Sequence, residues 1–168
     1  MAVVAVAAVA SVVVATGGAA TVAVVAKAAA VGAASGVVGK YIADVSYNVT
    51  MGQKGLSVFK PVSSFQDYCS SAASSAVTNM VPGGPLKKGL DVCLKPVLNQ
   101  AFDMITGDRK NFDVAKIVYD SGKRYVTSLL KIPNVDTGCS FIDKVVSSLP
   151  CSISRGLIKG CEQMITMN

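Results

Sequence analysis

Asp103, Asp108, Asp113 and Lys116 are the residues of this chain whose types and spacing come nearest to chemistry. Carboxylates gathered beside a lysine can hold a divalent metal and activate water, as a metal-dependent nuclease does. Such a site needs its carboxylates converging on strand ends. These sit instead on a helix end, a loop and a helix start, where aspartate commonly serves capping and solvation. Glu162 is the single glutamate, so a glycosidase-like pair would have to be built from aspartates.

The chain has no histidine. That removes Ser-His-Asp and Cys-His hydrolases, histidine-dependent nucleases and zinc deaminases together. Cys69, Cys93, Cys139, Cys151 and Cys161 form no CxxC pair, which leaves a zinc site of common spacing without support. Their odd number argues against a fully paired disulfide framework, and the expected state is free thiols buried as small hydrophobes. Gly83-Gly84-Pro85-Leu86-Lys87-Lys88 has no preceding strand and reads as a turn, not a phosphate loop. The basic pairs Lys87-Lys88, Arg109-Lys110 and Lys123-Arg124 lack interleaved aromatic platforms, so solvated faces are expected and nucleic-acid binding is not. Neither a cofactor nor a metal nor an enzymatic activity is expected, with a nuclease or transferase as the remote alternative.

The elements that would have to position any site begin with an unusual stretch. From Met1 to Lys40 the sequence is Ala, Val and Gly with Lys27 as its one charge before Lys40. A helix over Ala2–Ala26 would reach about 35–40 Å, more than the ~30 Å of a bilayer's hydrocarbon core. Thr16-Gly17-Gly18 breaks the run, which predicts a hairpin of two apolar helices. Two readings fit it: a membrane-inserting hairpin, and one packed tightly inside a soluble domain. Gly32-Ala33-Ala34-Ser35-Gly36 has GxxxG spacing and Gly39 extends the small face, so a neighbouring helix can approach closely in either solvent. Val14, Gly17, Gly18, Val24, Gly32, Gly36 and Gly39 are the candidate inserting or helix-packing residues. No basic residue precedes the run, which speaks against a secretory signal peptide.

Beyond it lies a small helical domain, residues 41–168. Its length suits one domain, and a 51% hydrophobic content with mean hydropathy of +0.50 excludes disorder. The net charge of +6 is modest and forms no concentrated stripe. Ser64 and Asp67 resemble a capping box ahead of an apolar stripe of Phe65, Tyr68, Cys69, Ala72, Ala73, Ala76, Val77 and Met80. A second stripe runs from Leu86 to Ile105, kinked by Pro96 and closed by Gly107 in a left-handed conformation. Asn111 can cap a third helix whose inward face is Val114, Ile117, Val118, Ser121, Tyr125 and Leu129. Two shorter helices follow, Ser140 to Ser148 and Pro150 to Met164. The expected fold is all-α: an Ala/Val/Gly-rich apolar helical hairpin, residues 1–40, followed by a small bundle of amphipathic helices.

Three stretches carry a family resemblance. Val31-Gly32-Ala33-Ala34-Ser35-Gly36-Val37-Val38-Gly39-Lys40-Tyr41, then Ser63-Ser64-Phe65-Gln66-Asp67-Tyr68, then Ala101-Phe102-Asp103-Met104-Ile105-Thr106-Gly107 with Asn111-Phe112-Asp113, resemble the region after the repeat core of Rhs/YD-repeat polymorphic toxins. In those secreted bacterial proteins, an Ala/Gly-rich hairpin and small helices connect an encapsulating repeat shell to a variable C-terminal toxin. The resemblance covers about residues 19 to 133. It implies a module of bacterial antagonism, secreted or delivered to a target-cell membrane, with an immunity protein or the shell as partner. After Pro133 too little chain remains for a usual catalytic domain. The leading expectation is therefore action on a lipid membrane, by pore formation or insertion of a transmembrane helix, with self-association. The rival expectation is a soluble helical interaction module linking a toxin shell to its effector or immunity partner.

Overall fold

The computed structural model describes residues 22–81, 85–107, 109–133 and 135–167. Val14, Gly17 and Gly18, and with them the first arm of the expected hairpin, lie outside the described residues. Within them the fold is all-α.

Helix α1, Val22–Thr50, runs without interruption across Lys40 and Tyr41. Its first half is rich in alanine, the residue with the highest intrinsic helix propensity. Gly52 (φ +74) and Gly55 (φ +60) adopt left-handed conformations that lead the chain into a short 3-10 turn, Gly55–Phe59. Helix α2, Phe65–Met80, opens on the expected capping box: Ser64 Oγ accepts from the Asp67 amide at 3.1 Å, and Asp67 Oδ2 accepts from the Ser64 amide at 2.9 Å. Helix α3, Pro85–Thr106, continues through Pro96 and stops at Gly107 (φ +87).

Two boundaries differ from expectation. Helix α4, Val114–Ser128, is capped by Asp113, whose Oδ1 accepts from the Lys116 amide at 2.9 Å, and Asn111 lies before the cap. Helix α5, Ser140–Thr166, is one element where two were expected, with Pro150 in its interior. An interior proline costs about 3 kcal/mol in an isolated helix. Here Cys151, Ser152, Gly156 and Gly160 are buried along the same helix, and that burial offsets the lost backbone bond.

The helices close on themselves. α1 packs against both α2 and α5, α2 against α3, α3 against α4, and α4 against α5. The result is a five-membered ring around a cavity of about 740 Å³.

Among the described residues, no helix is long and apolar enough to cross a membrane. This corrects the expectation of a transmembrane helix within those residues. The physical reason lies in α1, where Lys27 and Lys40 are separated by only twelve residues and Asp44 follows one turn later. A span needs about 20 predominantly apolar residues.

Packing also reverses the expected faces. The buried residues of α2 are Ser70, Ser74, Ser75, Thr78 and Met80, while Phe65 is 82% exposed. On α4, Thr127 is buried; of the face expected inward, Val118 is 66% and Leu129 69% exposed, with Val114 and Tyr125 also exposed. α3 buries Gln100 and exposes Ile105. Among the described residues the fully buried positions are mostly small and polar, and the large apolar side chains are mostly half-buried or exposed.

A polar interior is tolerable only if its hydrogen bonds are made. Most of these hydroxyls bond to their own helix. Ser46 donates to Ile42 O at 2.9 Å, Thr50 to Ser46 O at 2.9 Å, Thr78 to Ser74 O at 3.1 Å and Thr127 to Lys123 O at 2.9 Å. Among the described residues no buried side-chain nitrogen or oxygen lacks a partner.

Candidate functional site

Small residues set the distances between α1 and its two neighbours. A Cβ at Gly32 would lie 2.5 Å from Ser75 O, and one at Gly36 2.5 Å from Ser71 O, both on α2. Gly39 faces α5, where Ser152 Oγ would be 3.1 Å from an added Cβ. Val24, at the start of α1, is exposed. The α5 side of the seam is built by Gly156 and Gly160, whose added Cβ atoms would meet Ala43 O at 2.2 Å and Thr50 Cβ at 2.6 Å. Gly156-Leu157-Ile158-Lys159-Gly160 is itself a GxxxG spacing, a signal present in the sequence and missed in reading it.

Three polar side chains lock this frame from inside. Asp44, 2% exposed, accepts from the Val62 and Ser63 amides at 3.1 and 2.9 Å, from Ser63 Oγ at 2.7 Å and from Tyr68 Oη at 2.8 Å. Burial pushes its carboxyl upward, but the Ser63 and Tyr68 hydrogen bonds and the Lys40 charge outweigh that, and its pKa is lowered overall. Tyr68 is raised by burial and by its bond to Asp44. Asn48 Nδ2 donates to Val58 O at 2.9 Å and to Lys60 O at 2.8 Å, pinning the 3-10 turn onto α1. Gln100 donates to Asp113 O at 3.0 Å and accepts from the Asp113 amide at 2.8 Å, tying α3 to the start of α4.

The cavity holds most of the remaining charge. Its wall carries Lys40, Lys95, Lys116, Lys123, Arg124, Lys131, Lys144, Arg155 and Lys159 against Asp44, Asp67, Asp91, Asp103, Asp120 and Glu162. Some of these are paired. Lys123 Nζ meets Glu162 Oε1 at 2.9 Å, joining α4 to α5 beside the Tyr119–Glu162 hydrogen bond, and Lys95 Nζ lies 3.5 Å from Asp91 Oδ1.

No family model, curated protein or solved structure matches the chain. The terms toxin and Rhs therefore have no relative to identify them, and the cavity and exterior have to be read on their own chemistry.

The candidate aspartates take separate places, and Asp113 serves as the helix cap that the sequence suggests. Asp103 lines the cavity, Asp113 caps α4 and sits 3.7 Å from Arg109, and Asp108 lies outside the described residues. Among the described residues no group of three or more acidic or cysteine side chains is arranged to hold a metal. The cysteines also differ from expectation. All five are free, but Cys93, Cys139 and Cys161 are exposed, Cys69 is half-buried, and only Cys151 is buried, its Sγ donating to Thr127 O at 3.0 Å.

On the outside, Val118, Gly122, Val126 and Ile158 line an apolar groove between α4 and α5. Across the described residues twenty-four large hydrophobic side chains are exposed, whereas the buried hydrophobic set is Val25, Met80 and Cys151.

Proposed function

We propose that this chain is a helical interaction module that works with its apolar exterior covered by a protein partner. The observation that carries this reading is the inversion of the bundle. Exposed apolar residues scattered on a surface are ordinary, but a polar interior combined with twenty-four exposed large apolar side chains among the described residues is not. Each large apolar side chain gains about 1.5–3 kcal/mol when it leaves water. Val118, Val126 and Leu129 alone would reward a partner that covered α4.

The resemblance of residues 31–41, 63–68 and 101–113 to the segment between shell and toxin in Rhs/YD-repeat proteins supports the same role. A connector held against a shell, or against an immunity protein, has its outer face enclosed by protein. In this reading the chain belongs to a secreted bacterial antagonist, and contributes packing and not catalysis.

The test is sedimentation velocity over a concentration series, with a hydrophobic dye as second readout. The purified chain should self-associate and bind dye, and V118S/V126S/L129S should do both less while keeping its helicity. A monomeric wild type that binds no dye would overturn the proposal. So would flotation with lipid vesicles in preference to self-association, which would give the exterior to lipid.

A further inference from the structure

Three cations converge in the cavity from three different helices. Lys95 belongs to α3, Arg124 to α4 and Arg155 to α5, and all three line the cavity wall. Asp91 is the carboxylate they share: it lies 3.5 Å from Lys95 Nζ and attracts both guanidinium groups from further away. Among the described residues no ion pair reaches Arg124 or Arg155. Arg155 spends one donor on Thr127, Nε to Oγ1 at 3.3 Å, and Lys131 adds a fourth positive charge near Lys95.

Such an arrangement is unfavourable as it stands. Like charges repel more strongly away from bulk water, and a buried cation is costly unless paired. The side chains register it. Burial first, and the neighbouring cations after it, lower Lys95 to about 8 and Arg124 to about 10, and burial lowers Arg155 as well. The charges of Asp91 and Asp120 pull Arg124 back only partly.

We infer that the cavity inside the ring binds a phosphate-bearing small molecule on the wall built by α3, α4 and α5, held by Arg124, Arg155 and Lys95. Lys95, Arg124, Arg155 and Lys131 less Asp91 and Asp120 leave a charge of about two to be met, which suits a phosphate dianion. Guanidinium forks bind phosphate oxygens in pairs, and an ammonium adds a point charge beside them. A volume of about 740 Å³ exceeds inorganic phosphate and falls in the range of small-molecule sites, so the phosphate carries an organic group or a second phosphate. The hydroxyls of Ser128, Ser147 and Ser148 on the same wall donate to carbonyls of their own helices, so the charged side chains carry the recognition. This site faces inward and is independent of whatever covers the outside.

The experiment is calorimetric titration of the full chain at pH 7 and low salt with inorganic phosphate and pyrophosphate, with glycerol as the uncharged control. Saturable binding is expected for both anions, tighter for pyrophosphate, and absent for glycerol. Arg124→Gln and Arg155→Gln should each weaken pyrophosphate by tenfold or more, and Lys54→Gln, on the exposed loop, should leave it unchanged. Circular dichroism verifies that each variant is folded, and Arg124→Lys, which keeps the charge and loses the fork, should fall between wild type and Arg124→Gln. Pyrophosphate should also raise the melting temperature of the wild type. No saturable binding to the folded wild type would overturn the assignment, as would equal affinity in the wild type and folded Arg124→Gln and Arg155→Gln.

Discussion

Gly36 of α1 stands so close to Ser71 of α2 that an added Cβ would fall 2.5 Å from the Ser71 carbonyl oxygen, while Ser71 Oγ donates back to the Gly36 carbonyl at 3.0 Å. The contact is backbone against backbone, closed by a hydroxyl in place of an apolar side chain. That makes it sensitive to a single carbon. Gly36→Ala should lower stability by about 1–3 kcal/mol, because the clashing atom is main chain and cannot rotate away. Gly39→Ala, whose neighbour is the movable Ser152 Oγ at 3.1 Å, should cost less. Urea denaturation of both variants checks this; equal midpoints for Gly36→Ala and wild type would mean the helices are not that close.

Among the described residues Asp44 is the deepest carboxylate, and it carries four hydrogen bonds. Hydrogen bonds to charged groups contribute about 1.5–3 kcal/mol each, so Asp44→Ala should cost on the order of 3 kcal/mol or more by leaving donors unsatisfied. Its carboxyl is lowered in the fold below its ordinary pKa of 3.8. The unfolded chain therefore takes up the proton first as pH falls. The stabilisation is complete above about pH 4 and is lost as pH drops through the lower, folded value. In Asp44→Asn that part of the acid-side slope should disappear from a series of denaturation curves, and an unchanged slope would assign it elsewhere.

How much of this was legible beforehand divides along a physical line. Local signals were readable: the Ser64–Asp67 capping box, the left-handed Gly107 and the all-α class follow from backbone hydrogen bonding and periodicity, which act within a few residues. The facing of the helices was not. Periodicity locates an apolar stripe on α4 but assigns it inward by assuming that water surrounds the bundle. Val118 and Leu129 lie outward because Thr127, Arg124 and Lys123 occupy the inner face. The single-helix α5 was missed because Pro150 reads as a breaker when tertiary burial is unknown. The convergence of Lys95, Arg124 and Arg155 depends on three helices meeting, and no sequence spacing announces it.

Lys95 should report its own burial in alkali. Its folded pKa of about 8 lies below the ordinary lysine value of 10.5, with desolvation as the leading cause. Between those values the unfolded chain holds a proton that the folded chain has released, so this group makes stability rise with pH across that window. At pH 7 the charge is held at a cost. Lys95→Met should therefore match or exceed wild-type stability at pH 7 and flatten the rise between pH 8 and 10. A rise of undiminished slope in the variant would show that Lys95 is not its source.

The free thiols give a readout of the inverted packing that needs no variant. Cys93, Cys139 and Cys161 are exposed, whereas Cys151 is buried against the Thr127 carbonyl. Thiolate attack on a reagent requires access before it requires a favourable pKa. In native buffer a thiol-specific chromogenic reagent should consume three thiols quickly, Cys69 more slowly, and Cys151 only at the rate at which α4 and α5 part. Peptide mapping after a short pulse assigns the labels. If Cys151 reacted as fast as Cys161, the Thr127–Cys151 contact would be open in solution, and the wall that carries Arg124 and Arg155 would not be closed.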